Sequence, residues 1–259
     1  MINFSAIRPD TLAGKIVRAP FRILPRELAL PILQGPLRGK RWIVGSHLHG
    51  CWLGSYEFKM QRSMARELRR GSAFYDVGAN AGFYSLLAAV LVSPGPVYAF
   101  EPLPENAAYL RRHLALNRIR NVTLFELAIS DRAGSACFST EATRAMGKLE
   151  PGGNLCVQSS TLDILLDEGR LAPPEFIKMD IEGAEYRALQ GARECFARHR
   201  PKLFLATHGR RVHDDCCTLL SSWNYELAYT SQPSEDRAEI FAWPRQSGAS
   251  STCKSVDRP

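Results

Sequence analysis

No apolar run in this 259-residue chain is long enough to cross a bilayer. The N-terminus lacks the compact basic-then-apolar pattern of a secretory signal. The apolar patch from Ala19 to Leu33 is interrupted by Pro20, Pro25 and Pro31 and carries Arg22, Arg26 and Glu27, which excludes a spanning helix but not a segment resting on a surface. The seven cysteines include no C-x-x-C pair, and the adjacent pair Cys216-Cys217 is poorly placed for an unstrained bridge. This pattern reads as reduced thiols in a cytoplasmic protein, with no zinc site. A Gly-x-Gly-x-x-Gly fingerprint is missing, which argues against a dinucleotide cofactor. Aromatic and basic residues are not interleaved as in single-strand binders, so nucleic acid is not an expected partner.

What is present suits one α/β domain with an extension, or two small domains. Hydrophobic residues make up 45% of the chain, enough for a sizeable core. The formal net charge is +7 and is unevenly spread. Residues 1–41 hold eight Lys/Arg against Asp10 and Glu27, a net of +6, and the remainder is nearly neutral. A basic leader of this kind suits weak contact with an anionic membrane surface, a phosphate-bearing substrate, or solubility alone.

The stretch Phe74-Tyr-Asp-Val-Gly-Ala-Asn-Ala-Gly-Phe-Tyr84 reads as a buried strand, a tight turn and the start of an apolar helix. That is the opening of a βαβ unit, and open α/β sheets bind ligands at the carboxyl ends of such strands. Gly78 and Gly82 let the backbone turn sharply and let a ligand come close. Asp76 places a carboxylate where a pyrophosphate would be repelled. A ligand carrying an ammonium and a sulfonium, such as S-adenosylmethionine, would be attracted there. Pro96 to Pro102 is a second short apolar run, and it ends in Glu101, placed to accept hydrogen bonds from ribose hydroxyls. A third strand over 121–127, followed by a turn at 128–131, brings Ala128 to the same crevice, beside an adenine.

Later strand ends carry more chemistry. Glu175-Phe-Ile-Lys-Met-Asp-Ile-Glu-Gly-Ala-Glu185 puts Asp180 at the end of a fourth strand, Glu182 on the turn and Glu185 in the first turn of a helix. His208 ends a fifth strand and is suited to take a proton from an alcohol near neutral pH. Between the third and fourth strands, 136–160 reads as a short hairpin with a loop. A helix follows from 184 to 196, and the stretches 224–229 and 239–243 form a final antiparallel pair. Residues 1–70 are expected to form a helical and loop extension capping the site, 71–244 the ligand-binding domain, and 245–259 a disordered tail.

These segments resemble the FkbM-type S-adenosylmethionine-dependent methyltransferases. The resemblance rests on Asp76-Val-Gly-Ala-Asn-Ala-Gly82, Tyr98-Ala-Phe-Glu-Pro102, Ala128-Ile-Ser-Asp131, Ile177-Lys-Met-Asp-Ile-Glu-Gly-Ala-Glu185 and Leu189-Gln-Gly191. It implies a Rossmann-like class I fold: α/β, with a seven-stranded, mostly parallel sheet, a terminal antiparallel strand and helices on both faces. It implies S-adenosylmethionine as methyl donor, contacted by Asp76, Gly78, Asn80, Gly82 and Glu101, to which the strand-end reading adds Ala128 and Asp180. The implied reaction is O-methylation of a small-molecule acceptor, a sugar or natural-product hydroxyl; His208, Asp180 and Glu182 are read as its catalytic residues from their strand-end positions. Trp52-Leu-Gly-Ser-Tyr-Glu57 resembles a segment found ahead of the family's core, and Tyr56 and Glu57 are read as acceptor contacts. The chain departs from the family in Leu205-Ala-Thr-His208, where many members carry an acid in place of Ala206. The competing readings are a nucleotide-binding oxidoreductase and a non-catalytic donor-binding protein at a membrane surface.

Overall fold

Phe74–Val77, Phe176–Met179 and Lys202–His208 are short runs of largely buried residues, and they form the centre of a parallel sheet. The computed structural model describes residues 24–139, 148–149, 155–230, 234 and 236–245. The expected basic leader before residue 24, most of the loop at 140–154 and the tail after 245 lie outside those residues.

The strands are, in chain order, β1 (Ala29–Pro31), β2 (Arg41–Ile43), β3 (Phe74–Val77), β4 (Val97–Phe100), β5 (Val122–Phe125), β6 (Ala128–Ile129) and β7 (Gly134–Ser139). They continue with β8 (Lys148–Leu149), β9 (Leu155–Ser160), β10 (Phe176–Met179), β11 (Lys202–His208), β12 (Tyr225–Tyr229) and β13 (Arg237–Pro244). The helices are α1 (Gly50–Leu53), α2 (Phe58–Glu67), α3 (Phe83–Val92), α4 (Pro104–Leu116), α5 (Leu162–Asp167), α6 (Glu185–Gln190), α7 (Arg193–His199) and α8 (Arg210–Ser222).

Seven strands make the main sheet in the order β12-β13-β11-β10-β3-β4-β5. All run parallel except β13, which is antiparallel to both β11 and β12. The antiparallel strand is therefore last in the chain but interior in the sheet. Successive units step from β3 towards β5 and later from β10 towards β12, so the order reverses between β3 and β10. Ligands of open α/β sheets bind at such a reversal.

Alternation along the central strands defines two cores. Phe74, Phe176 and Phe204 face α3 and the N-terminal segment, with Trp42, Leu86 and Leu87. Tyr75, Ile177, Leu203 and Ile240 face Leu189, Phe196 and Leu220. Asp76 and Lys178, each two residues after a phenylalanine of the first set, are paired in register on neighbouring strands. The N-terminal segment is tied down by His113 of α4. Ile43 N–H donates to its Nε2 (3.0 Å), its Nδ1–H donates to the Ala81 carbonyl (2.7 Å), and its ring stacks on Trp42 at 3.8 Å. Burial pushes this imidazole down to about 4, so it is neutral at ordinary pH.

Three expectations are corrected. The single helix over 184–196 is two, α6 and α7: Asp163 accepts from the Glu194 and Cys195 N–H groups at 3.0 and 2.8 Å and its own N–H donates to the Gly191 carbonyl, so the backbone groups at the junction are satisfied outside one continuous helix. The turn expected at 128–131 begins instead with β6, which pairs with Ser159 and Ser160 in a second sheet of order β6-β9-β7-β8. In that sheet Cys137 and Cys156 face each other across β7 and β9 and form a disulfide, so the reading of uniformly reduced thiols does not hold. The pairing was hidden because it depends on hairpin register, not on spacing. Among the described residues Cys51, Cys195, Cys216 and Cys217 are free thiols, and no helix is long and apolar enough to cross a membrane.

Candidate active site

A cavity of about 760 Å³ opens at the carboxyl ends of β3, β4 and β10, within the size range of small-molecule sites. Its floor is the turn after β3. Gly78 has φ +83°, and a side chain there would meet the Asp180 carbonyl at 2.0 Å, so the turn packs directly on the chain leaving β10. Asn80 follows with φ 50°, a conformation that asparagine tolerates better than most residues.

Glu101 leaves β4 and locks this turn. Its Oε2 accepts from Asn80 N–H (2.7 Å), and its Oε1 accepts from Leu103 N–H (2.9 Å) and Asn106 Nδ2 (3.3 Å). Burial raises its pKa, and those hydrogen bonds oppose the rise. A carboxylate accepts about four hydrogen bonds, so Glu101 keeps capacity for one more on the cavity wall. Phe100, Leu127, Ala128 and Ile129 give that end an apolar surface.

The opposite end is charged. Asp180 and Glu182 line the cavity, and Glu182 sits at φ 55° before Gly183 at φ 99°. Holding a glutamate in this region costs on the order of 1 kcal/mol, and such strain clusters at functional sites. His208 stands behind them, outside the lining residues. Its Nδ1–H donates to Glu185 Oε1 at 3.0 Å, while its Nε2 is 3.6 Å from Asp180 Oδ1 and 3.5 Å from Glu182 Oε2. Glu185 is fully buried, and its Oε1 also accepts from the N–H groups of Ile181 (3.2 Å) and Gly183 (3.1 Å). Burial lowers the pKa of His208, but the Glu185 hydrogen bond and the charges of Asp180 and Glu182 outweigh it, and the net shift is upward. Glu182 is also raised, by burial first and then by its acidic neighbours. Asp180, Glu185 and His208 offer ligand atoms within 4.8 Å of one another, a donor set that divalent ions accept.

The remaining predicted residues divide between wall and support. Tyr56 and Glu57 line the cavity, and Tyr84 O–H donates to Glu57 Oε2. Asp76 and Gly82 do not line it. Asp76 is 0% exposed, accepts from Ser85 O–H at 2.6 Å and pairs with Lys178 at 3.5 Å. Gly82 packs against Leu110 at the start of α3.

Among the lining residues that escaped the sequence reading, Lys178 and Arg237 carry charges that reach into the site. Lys178 is the single charge in the buried strand Phe176-Ile-Lys-Met179, a signal that was available. Arg237 gave no such signal. The antiparallel register sets it opposite His208, where its Nη2 reaches Glu57 (2.8 Å), Asp180 (3.4 Å) and Glu239 (3.2 Å).

The strand order and the interior antiparallel strand define the class I methyltransferase fold. A profile of the methyltransferase FkbM domain matches residues 76–227, and the chain belongs to that family, whose cofactor is S-adenosylmethionine.

Among its relatives, the hexuronic acid methyltransferase AglP of Haloferax volcanii is 25% identical over 132 residues, covering 50% of this chain and 54% of that protein. The 2-O-methyltransferase NoeI of Sinorhizobium fredii is 28% identical over 146 residues, covering 48% and 59%. A protein-L-isoaspartate O-methyltransferase of Methanothrix thermoacetophila is 28% identical over 159 residues, covering 56% and 74%. The chain thus matches only about half the length of AglP.

The cavity fits the cofactor. It offers a buried carboxylate for a ribose, an apolar wall for an adenine, and groups of both signs for an amino-acid end.

Proposed function

We propose that this protein transfers a methyl group from S-adenosylmethionine to a hydroxyl of a small, sugar-like molecule. The observation that carries this reading is the Asp180–Glu182–His208 cluster at the cavity end away from Glu101. The cofactor supplies an electrophilic methyl on a sulfonium, and the protein's task is alignment and removal of one proton. Glu101 and Asn80 hold the ribose end, with Ala128 and Phe100 beside the adenine. Asp180 and Glu182 accept a hydrogen bond from the acceptor hydroxyl. His208, oriented by Glu185, takes up the proton. Tyr56 and Glu57 form the acceptor's opposite wall, fixed by Tyr84 and Arg237. The two relatives named for a hexuronic acid and for a 2-O position support an oxygen acceptor of sugar type.

The test is transfer of labelled methyl to a panel of sugars, uronic acids and polyketide alcohols, with isoaspartyl peptide as a contrasting acceptor. Label on a hydroxyl is the expected result. Label on the peptide carboxylate alone, or label nowhere while the cofactor binds, overturns the reading.

A further inference from the structure

Lys178 lies in the wall of the cavity, one residue deeper along β10 than Met179 and two before Asp180. Its side chain is 8% exposed. An ammonium has three N–H donors. One goes to the Gly78 carbonyl at 3.1 Å, and a second faces Asp76 Oδ1 at 3.5 Å. The Tyr84 ring lies 5.2 Å away on the same side. One donor remains. The other cations of the cavity wall are differently placed. Arg237 already faces three carboxylates, Glu57, Asp180 and Glu239, where Lys178 pairs with Asp76 alone, and Arg26 is exposed.

The amino-acid end of S-adenosylmethionine is a zwitterion. Where the cavity walls displace water from these charges, each needs an opposite partner, since an unpaired desolvated charge is unfavourable. Asp180 and Glu182 can meet the ammonium. Asp76 cannot, because it is fully buried and already neutralised. The carboxylate needs a cation that is not already surrounded by acids. We propose that Lys178 is that cation: it binds the cofactor's carboxylate and, through the Gly78 carbonyl, couples that contact to the turn after β3. Asp76 holds the ammonium in place before the ligand arrives, so little reorganisation accompanies binding. This assignment rests on the cofactor reading given above.

The test compares S-adenosylhomocysteine with 5′-methylthioadenosine, which keeps the nucleoside and thioether but lacks the amino-acid end. Affinities of both are measured by calorimetry for wild type, Lys178→Gln and the double variant Asp76→Asn/Lys178→Gln. The double variant removes the buried pair together and leaves no uncompensated charge to unfold the protein. In both variants S-adenosylhomocysteine is expected to bind about 10–100-fold more weakly, the range of a charge-assisted contact, while 5′-methylthioadenosine is unchanged within about twofold. An equal loss for both ligands overturns the assignment. So does full recovery of S-adenosylhomocysteine affinity in the double variant, which would leave Lys178 a counter-charge to Asp76 and nothing more. A wild type that binds neither ligand overturns the cofactor reading and this assignment with it.

Discussion

The end of the cavity at Glu101 comes from one short stretch of chain, whereas the end at His208 is assembled from distant pieces. Gly78, Asn80, Glu101 and Asn106 all belong to the first two βα units, and mostly backbone N–H groups satisfy the Glu101 carboxylate. At the other end Glu57 precedes the sheet, Asp180 and Glu182 follow β10, His208 closes β11 and Arg237 opens β13. Charged side chains there satisfy one another at 2.8–3.6 Å, across up to 180 residues of sequence. A binding surface for a fixed part of a cofactor can be written as a local motif. A surface for a variable acceptor is set by tertiary contacts that different chains can rearrange.

Gly78→Ala should break this division most severely, because Gly78 belongs to the first end and touches the second. The new Cβ would lie 2.0 Å from the Asp180 carbonyl, on a residue already at φ +83°. A stability loss on the order of 3 kcal/mol is expected from the clash and the backbone strain together, read as a lower urea midpoint. Both cofactor affinity and turnover should fall. An unchanged midpoint would show that the two ends are not packed together.

His208→Gln should separate the ends cleanly. Turnover is expected to drop by about 10²–10⁴-fold while S-adenosylhomocysteine affinity stays within about threefold. In wild type the imidazole becomes a base only above its raised pKa, so the rising limb of turnover against pH should lie above the ordinary value of 6.5. The sign for stability follows from the same shift. The ion pairs of His208 contribute fully below the unfolded-state value and are lost as pH rises through the higher folded-state value. His208→Gln should abolish this part of the pH dependence, and its persistence in urea titrations would contradict the pairing.

The smallest expected effect sharpens the chemistry of the second end. If Asp180, Glu185 and His208 act as an acid–imidazole group and not as metal ligands, treatment with EDTA should change turnover by less than about twofold. A loss restored by Mn²⁺ would make them ligands, a role their spacing permits.

Much of the first end was legible in the sequence. Asp76-Val-Gly-Ala-Asn and Phe100-Glu101 carry their geometry locally, through a turn and a strand end. Even there, side-chain direction was not visible. Asp76 is turned into the core to meet Lys178, because the two face each other in register on adjacent strands. At the second end Asp180, Glu182 and His208 were found because each ends or follows a strand. Arg237 was not, since its position depends on β13 entering between β11 and β12. The same applies to Cys137 and Cys156, whose pairing needs the register of β7 and β9.

The most direct test of the whole account is calorimetric titration of S-adenosylhomocysteine into wild type and Glu101→Ala. The account predicts micromolar binding to wild type and a loss of tenfold or more in the variant, about 1.4 kcal/mol, because the carboxylate both faces the cavity and anchors the turn through Asn80. Wild-type protein that binds no S-adenosylhomocysteine, or a variant that binds it equally well, would contradict it.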